Sequence, residues 1–212
     1  MKRLTDADID PAPLLGKRVA IVGYGNQGRA QARNLKDSGI EVVVGLREGT
    51  SSAVRVVADG LEQEPLSSAV SGADVVMMLV PDEVMAGLYG EIEPQLRDGA
   101  ALGFSHGLAI HFAFVRPRED LDVFLLAPKG PGTALRSLYE RGEGMIALWA
   151  VAQDRSGKAR ETALAYGRAL GCGRAGLLES SFAEECEADL FNEGAVVWGP
   201  CQSCLLLASR PS

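Results

Sequence analysis

Cysteine is scarce in this chain of 212 residues, and its placement excludes two classes of protein. Cys172, Cys186, Cys201 and Cys204 all fall in the last fifth, which is no disulfide framework for a chain of this size. Cys201 and Cys204 form a C-x-x-C, but no second cysteine pair or suitably spaced histidines follow, so a four-ligand zinc site cannot be completed. Long apolar runs are also missing. None approaches the ~20 residues that span a bilayer, and the basic start MKRLTDADIDPAP lacks the apolar stretch of a secretion signal. Basic residues are in deficit: 21 Lys and Arg face 28 Asp and Glu, giving a net charge of −7, which argues against a nucleic-acid partner. No internal repeat or low-complexity tract breaks the chain. The expectation is a reduced, cytoplasmic globular protein.

The chain is organised around KRVAIVGYGNQGRAQARNLKDSGIEVVVGLR, residues 17–47. The apolar run Arg18–Val22 is followed by Gly23, Gly25 and Gly28 in G-x-G-x-x-G spacing, a helical pattern over Asn26–Asp37, and a second apolar run at Val42–Val44. Strand, glycine turn, helix and strand are the context a dinucleotide fingerprint requires. Gly23 permits the turn, Gly25 lets the backbone approach a pyrophosphate, and Gly28 lets the helix close on the strand. The free N–H groups and positive dipole end of the helix suit the phosphates.

The end of the second strand bears on which dinucleotide. An NAD-selective site usually carries Asp or Glu there. Here the segment is GLREGTSS, and Arg47 with the hydroxyls of Thr50, Ser51 and Ser52 suits a ribose 2′-phosphate. Glu48 is the dissenting residue. The expectation is NADP(H).

Further strands are expected at Val75–Val80, Ala100–Phe104, Val123–Ala127, Ala147–Gln153 and Gly176–Glu179. Helices are expected at Ala53–Ala58, from Asp82 (the candidate N-cap) to Tyr89, over Ser156–Leu170, and over Phe182–Val197, with residues 1–16 as a short leader. Strands alternating with helices predict an α/β fold with a doubly wound, mostly parallel sheet. In such sheets ligands sit beyond the carboxyl ends of strands. Pro81-Asp82-Glu83, Ser105-His106-Gly107 and Lys129-Gly130 all fall there. Taken alone, His106 is as readily structural and Lys129 an ordinary surface lysine. Glu185, Asp189 and Glu193 are spaced to share one helical face. Like charges at that spacing repel, and the stripe reads either as a solvated face or as hard oxygen ligands for Mg²⁺.

Together these segments resemble ketol-acid reductoisomerase (acetohydroxy-acid isomeroreductase) of the short bacterial class. The resemblance rests on VAIVGYGNQGRAQARNLKDSG, VVVGLREG, ADVVMMLVPDEV, the pieces around His106, APKGPG and FAEECEADLFNEGAVVWG, and runs from Lys17 to Gly199. It implies Mg²⁺-assisted alkyl migration in a 2-acetolactate-type acid, then reduction by NADPH, in branched-chain amino-acid biosynthesis. Carried over, Tyr24, Gly25, Asn26 and Gln27 contact the pyrophosphate, and Arg47, Thr50 and Ser52 hold the 2′-phosphate. Asp82, Glu83, Val84 and Met85 flank the adenosine, and Gly132 touches the cofactor. His106 and Lys129 are implied at the catalytic centre, Asp189 and Glu193 as metal ligands, and Glu185 behind them.

Arg29 stands where the family commonly has histidine, and Ser51 and Ala53 where it has lysine and tryptophan. The resemblance implies a Rossmann-type domain over 1–181, the start of the helical metal-binding region at 182–199 and an atypical tail at 200–212, the helical second domain being absent. It therefore implies a chain impaired alone, with a homo-oligomer or complementing chain as partner. The alternatives are a non-catalytic NADP-binding module and a small NADPH-dependent reductase of another 2-keto acid.

Overall fold

The computed structural model describes residues 3–191. Its frame is one nine-stranded sheet. In chain order the strands are β1 (Arg3–Leu4), β2 (Arg18–Val22), β3 (Glu41–Leu46), β4 (Glu62–Pro65), β5 (Val75–Met78), β6 (Ala101–Phe104), β7 (Asp122–Pro128), β8 (Ala147–Gln153) and β9 (Leu177–Glu179). They lie in the order β1-β9-β8-β7-β6-β5-β2-β3-β4. Strands β2 to β7 are mutually parallel, β8 runs antiparallel to β7, and β1 closes the edge antiparallel to β9. The helices are α1 (Asn26–Asp37), α2 (Ser52–Ala58), α3 (Leu66–Ser71), α4 (Asp82–Ile92), α5 (Leu108–His111), α6 (Gly132–Glu140), α7 (Ala159–Ala169) and α8 (Phe182–Phe191).

The central strands are apolar throughout because both faces are covered. Along β2, Val19 and Ile21 point into one core with Ala32, Leu35, Phe124 and Tyr166, whereas Ala20 and Val22 point into the other with Val76, Leu102, Phe104 and Phe182. The period of two in a strand makes this division. Each fully buried Val, Leu, Ile or Phe contributes roughly 1.5–3 kcal/mol relative to exposure.

Several elements depart from the sequence reading. Residues 1–16 were expected to be a leader, but from Arg3 onward they belong to the core: Leu4, Ile9 and Leu14 are buried. Asp82 opens α4 rather than capping it, because Pro81 holds the extended N-cap position. The helix expected from Ser156 starts at Ala159. Buried Asp122 accepts the Ser156 N–H at 2.9 Å and its hydroxyl at 2.5 Å, which holds that residue to the sheet, and Gly157 has φ +74°. Strand β4 and helices α5 and α6 were not anticipated. Glu193, Cys201 and Cys204 lie outside the described residues. Among the described residues no helix is long and apolar enough to cross a membrane.

Candidate functional site

The parallel strands end at one edge, and every loop singled out from the sequence meets there. Gly23 leaves β2 with φ +101°, a left-handed conformation in which side chains are strained. A Cβ on Gly28 would run into the Gly23 carbonyl oxygen. Turn and helix therefore close as the spacing predicts, and α1 opens at Asn26. The Asn26 side-chain oxygen accepts the Thr133 N–H at 3.0 Å, and Gly132 packs on the Asn26 backbone, so α1 and α6 start side by side. The Gln27 amide donates to the Gly130 carbonyl at 2.8 Å, tying the glycine turn to the loop that carries Lys129.

Beside the turn lies a cavity of about 190 Å³ lined by Gly23, Tyr24, Gly45, Arg47, Thr50, Ser52 and Val84, among others. The Thr50 hydroxyl is buried there without a hydrogen-bond partner, which fits a ligand oxygen. Glu48 is exposed and does not line the cavity. Arg47 does, but its guanidinium pairs with Glu91 of α4 at 2.6 Å, and both side chains are more than half exposed. Arg55, which the sequence reading missed, donates to Ser52 Oγ at 2.9 Å and to the Tyr24 carbonyl at 3.3 Å. Asp82, Glu83, Val84 and Met85 form the first turn of α4, with Met85 buried and Val84 on the cavity wall. The glycine turn, the cavity and the orphaned hydroxyl suit a dinucleotide.

His106, Lys129 and Glu185 converge, although 56 residues separate Lys129 from Glu185. Glu185 is 1% exposed. Its Oε1 accepts from Lys129 Nζ at 2.6 Å, and its Oε2 accepts the Gly107 N–H at 2.7 Å and lies 3.1 Å from His106 Nδ1. Burial pushes the Glu185 carboxyl up. The hydrogen bonds from His106, Lys129 and Gly107 and the charge on Lys129 outweigh it and hold the carboxyl below its usual range. A carboxylate at Oε2 calls for a proton on His106 Nδ1. Nε2 lies 3.8 Å from Asp82 Oδ2. The sequence reading put Glu185 on an acidic helix face with Asp189 and Glu193. Its side chain is buried against Lys129 and His106. Asp189 lies one turn farther along α8, and its side chain lies outside the described part. Among the described residues there is no group of three His, Cys, Asp or Glu able to hold a metal.

Two polar clusters were missed. The Arg29 guanidinium grips Asp59 through two hydrogen bonds, at 2.7 and 2.8 Å, and the Tyr24 hydroxyl donates to the same carboxylate at 2.7 Å. Hydrogen bonding by Arg29, and then by Tyr24, overcomes burial and holds the Asp59 carboxyl down at about 2. Burial and Asp59 push the Tyr24 phenol up. Farther along α1, Gln31 is fully buried. Its amide nitrogen donates to Ser105 Oγ at 3.0 Å and its oxygen accepts from Tyr166 at 2.8 Å. The available signal was a glutamine four residues after Gln27, among the small and apolar residues Gly28, Ala32 and Leu35.

Residues 13–176 match the family model described as the NADPH-binding domain of acetohydroxy acid isomeroreductase. Among solved structures, an NADH-preferring ketol-acid reductoisomerase from an uncultured archean is 43% identical, with a TM-score of 0.92, over 100% of this chain and 68% of that one. Two more distant structures share the fold alone. A semialdehyde dehydrogenase NAD-binding protein from Cupriavidus necator is 20% identical over 92% of this chain and 72% of its own, with a TM-score of 0.73. A pyrroline carboxylate reductase from Plasmodium falciparum is 13% identical over 92% and 67%, with a TM-score of 0.59. The glycine turn, the strand-end cluster and these matches agree: the chain belongs to the acetohydroxy acid isomeroreductase, or ketol-acid reductoisomerase, family of oxidoreductases.

Proposed function

We propose that this chain binds NADP(H) and carries the reductive half of a ketol-acid reductoisomerase reaction in branched-chain amino-acid biosynthesis, the reduction of the 3-hydroxy-2-keto acid that alkyl migration forms from a 2-acetolactate-type acid. The observation that supports it best is the meeting of His106, Lys129 and Glu185 beside the glycine turn. When bound, NADPH would supply a hydride, and Mg²⁺, for which Asp189 and Glu193 would offer hard oxygen donors, would supply Lewis acidity. The remaining work belongs to the chain. Lys129, oriented by Glu185, presents an ammonium to developing negative charge on a substrate oxygen. His106, with Nδ1 held by Glu185, relays a proton through water. Residues 182–199 would begin the metal-binding region.

The 2′-phosphate falls to Arg47, Thr50 and Ser52, with Arg55 behind Ser52. Fluorescence titration is expected to give tighter binding of NADPH than of NADH. Arg47→Ala should weaken NADPH by roughly 1.5–3 kcal/mol, the range for a charge-assisted hydrogen bond, and toward the lower end because Arg47 is exposed and shares Glu91. Equal affinities for the two cofactors would overturn the cofactor assignment. Lys129→Met that oxidises NADPH with 3-hydroxy-3-methyl-2-ketobutyrate, the migrated acid, and Mg²⁺ at the unmutated rate would overturn the catalytic one.

A further inference from the structure

The cation that suits a 2′-phosphate is already held by a carboxylate of the chain itself. Arg47 Nη2 donates to Glu91 Oε2 at 2.6 Å, across 44 residues of sequence. The fold places the pair. Arg47 follows the last residue of β3, and Glu91 stands near the end of α4. Val84, Leu88 and Glu91 are spaced i, i+4 and i+7, so they share one face of that helix. Val84 and Leu88 line the cofactor cavity, and Glu91 continues the same face beyond its edge. Buried Met85, Leu88, Tyr89 and Ile92 fix α4 on the core, and Gln95 Nε2 donates to the Glu91 carbonyl at 3.0 Å.

Arg47 lies between two hollows. With Leu46 and Leu66 it lines the cofactor cavity of about 190 Å³, and it also lines an outer hollow of about 200 Å³. The two carboxylates beside it, Glu48 and Glu91, wall the outer hollow and not the cavity. On the inner side stand the hydroxyls of Thr50 and Ser52, with Arg55 donating to Ser52 Oγ at 2.9 Å. A carboxylate and a phosphate are alternative partners for one guanidinium fork. A dinucleotide with a 2′-phosphate has to draw Arg47 away from Glu91 or share it, whereas one with a 2′-hydroxyl leaves the pair as it is. The cost of the pair therefore falls on NADPH alone.

We infer, on the reading that Arg47 serves the 2′-phosphate, that Glu91 is a specificity-determining residue of the cofactor site. It acts through Arg47: its carboxylate is an internal substitute for the 2′-phosphate and narrows the preference for NADPH over NADH.

The test is fluorescence titration of NADPH and of NADH against the full chain, Glu91→Gln, Arg47→Ala and the double variant. Glu91→Gln keeps the shape of a half-exposed side chain and removes its charge. It should tighten NADPH about two- to fivefold, the reach of an exposed ion pair, and leave NADH within about 1.5-fold. The gap between variant and unmutated chain should narrow as salt rises. A residue with a merely structural role would weaken both cofactors or neither. In the Arg47→Ala background the same change should move NADPH by less than about 1.5-fold, because the partner through which it acts is gone. Unaltered NADPH affinity in Glu91→Gln, an equal gain for NADH, or the full gain without Arg47 would overturn the role of Glu91. Equal affinities in the unmutated chain would remove its preference for NADPH, while a gain for NADPH alone in Glu91→Gln would still uphold Glu91 as the group that masks Arg47. A chain that binds neither cofactor would overturn both.

Discussion

Glu185→Gln is the substitution whose effect follows most directly from the geometry. The side-chain volume is retained and only the charge and one acceptor are lost. The wild-type carboxylate satisfies Lys129 with Oε1, and Gly107 and His106 with Oε2. An amide has one oxygen. Placed toward Gly107 it keeps that bond, but the NH₂ then faces the Lys129 ammonium, donor against donor. Placed toward Lys129 it leaves the Gly107 N–H, in a buried position, facing another donor. Hydrogen bonds to charged groups contribute about 1.5–3 kcal/mol each, and breaking a buried ion pair from one side costs about 3–5 kcal/mol. Lys129 is only two-thirds buried, so water recovers part of the loss. The expected destabilisation is about 3 kcal/mol, equivalent to a fall in Tm of roughly 6–12 °C for a chain of this length. Urea unfolding at neutral pH measures it, and a double-mutant cycle with Lys129→Met isolates the pair. A loss below about 1 kcal/mol, or a coupling energy near zero, would refute the view that Glu185 organises the centre.

Three further outcomes are expected. Asp59→Asn should lose about 1 kcal/mol at neutral pH, a figure discounted because Arg29 is 46% exposed. The folded Asp59 carboxyl, at about 2, lies below its ordinary value of 3.8, so its contribution is complete above about pH 4 and fades as pH falls toward 2. Variant and wild type should therefore converge in acid unfolding curves near pH 2, and a constant difference across that window would exclude Asp59 as the titrating group. Gly28→Ala should destabilise by about 2 kcal/mol, because the new methyl meets the Gly23 carbonyl, which is backbone and cannot swing away; NADPH titration should show the cofactor site lost with it, and unaltered affinity would contradict the close packing of turn and helix. Tyr166→Phe removes the donor to fully buried Gln31 and should cost about 1–3 kcal/mol by denaturant unfolding, whereas a neutral result would mean that Gln31 finds another donor.

Much of the fold was legible because it is written in local periodicity. The apolar runs of β2, β5 and β7, the glycine spacing before α1 and the boundaries of α1 follow from chain geometry that acts over a few residues. Strand β4, Glu62–Pro65, was not legible, because an edge strand with sequence EQEP carries no apolar signal. The N-terminal segment read as a leader because Leu4, Ile9 and Leu14 are too widely spaced to show a period, yet each is buried against distant elements.

At the site, the sequence by itself determined which residues reach the carboxyl edge of the sheet, since a strand end followed by glycine or proline can be read along the chain. Only the tertiary structure decided what they do to one another there. Arg47 reads as an unencumbered cation until α4 brings Glu91 within 2.6 Å. Glu185 reads as one member of an acidic stripe until α8 packs against the strand ends and buries it between Gly107, His106 and Lys129. Arg29 and Arg33 of α1, Arg55 of α2 and Arg136 of α6 are spread over more than a hundred positions of the sequence, yet they line one concavity. Side-chain charge is fixed by sequence, but whether it is spent on a partner or left for a ligand depends on which helices pack side by side, and residues a hundred positions apart settle that.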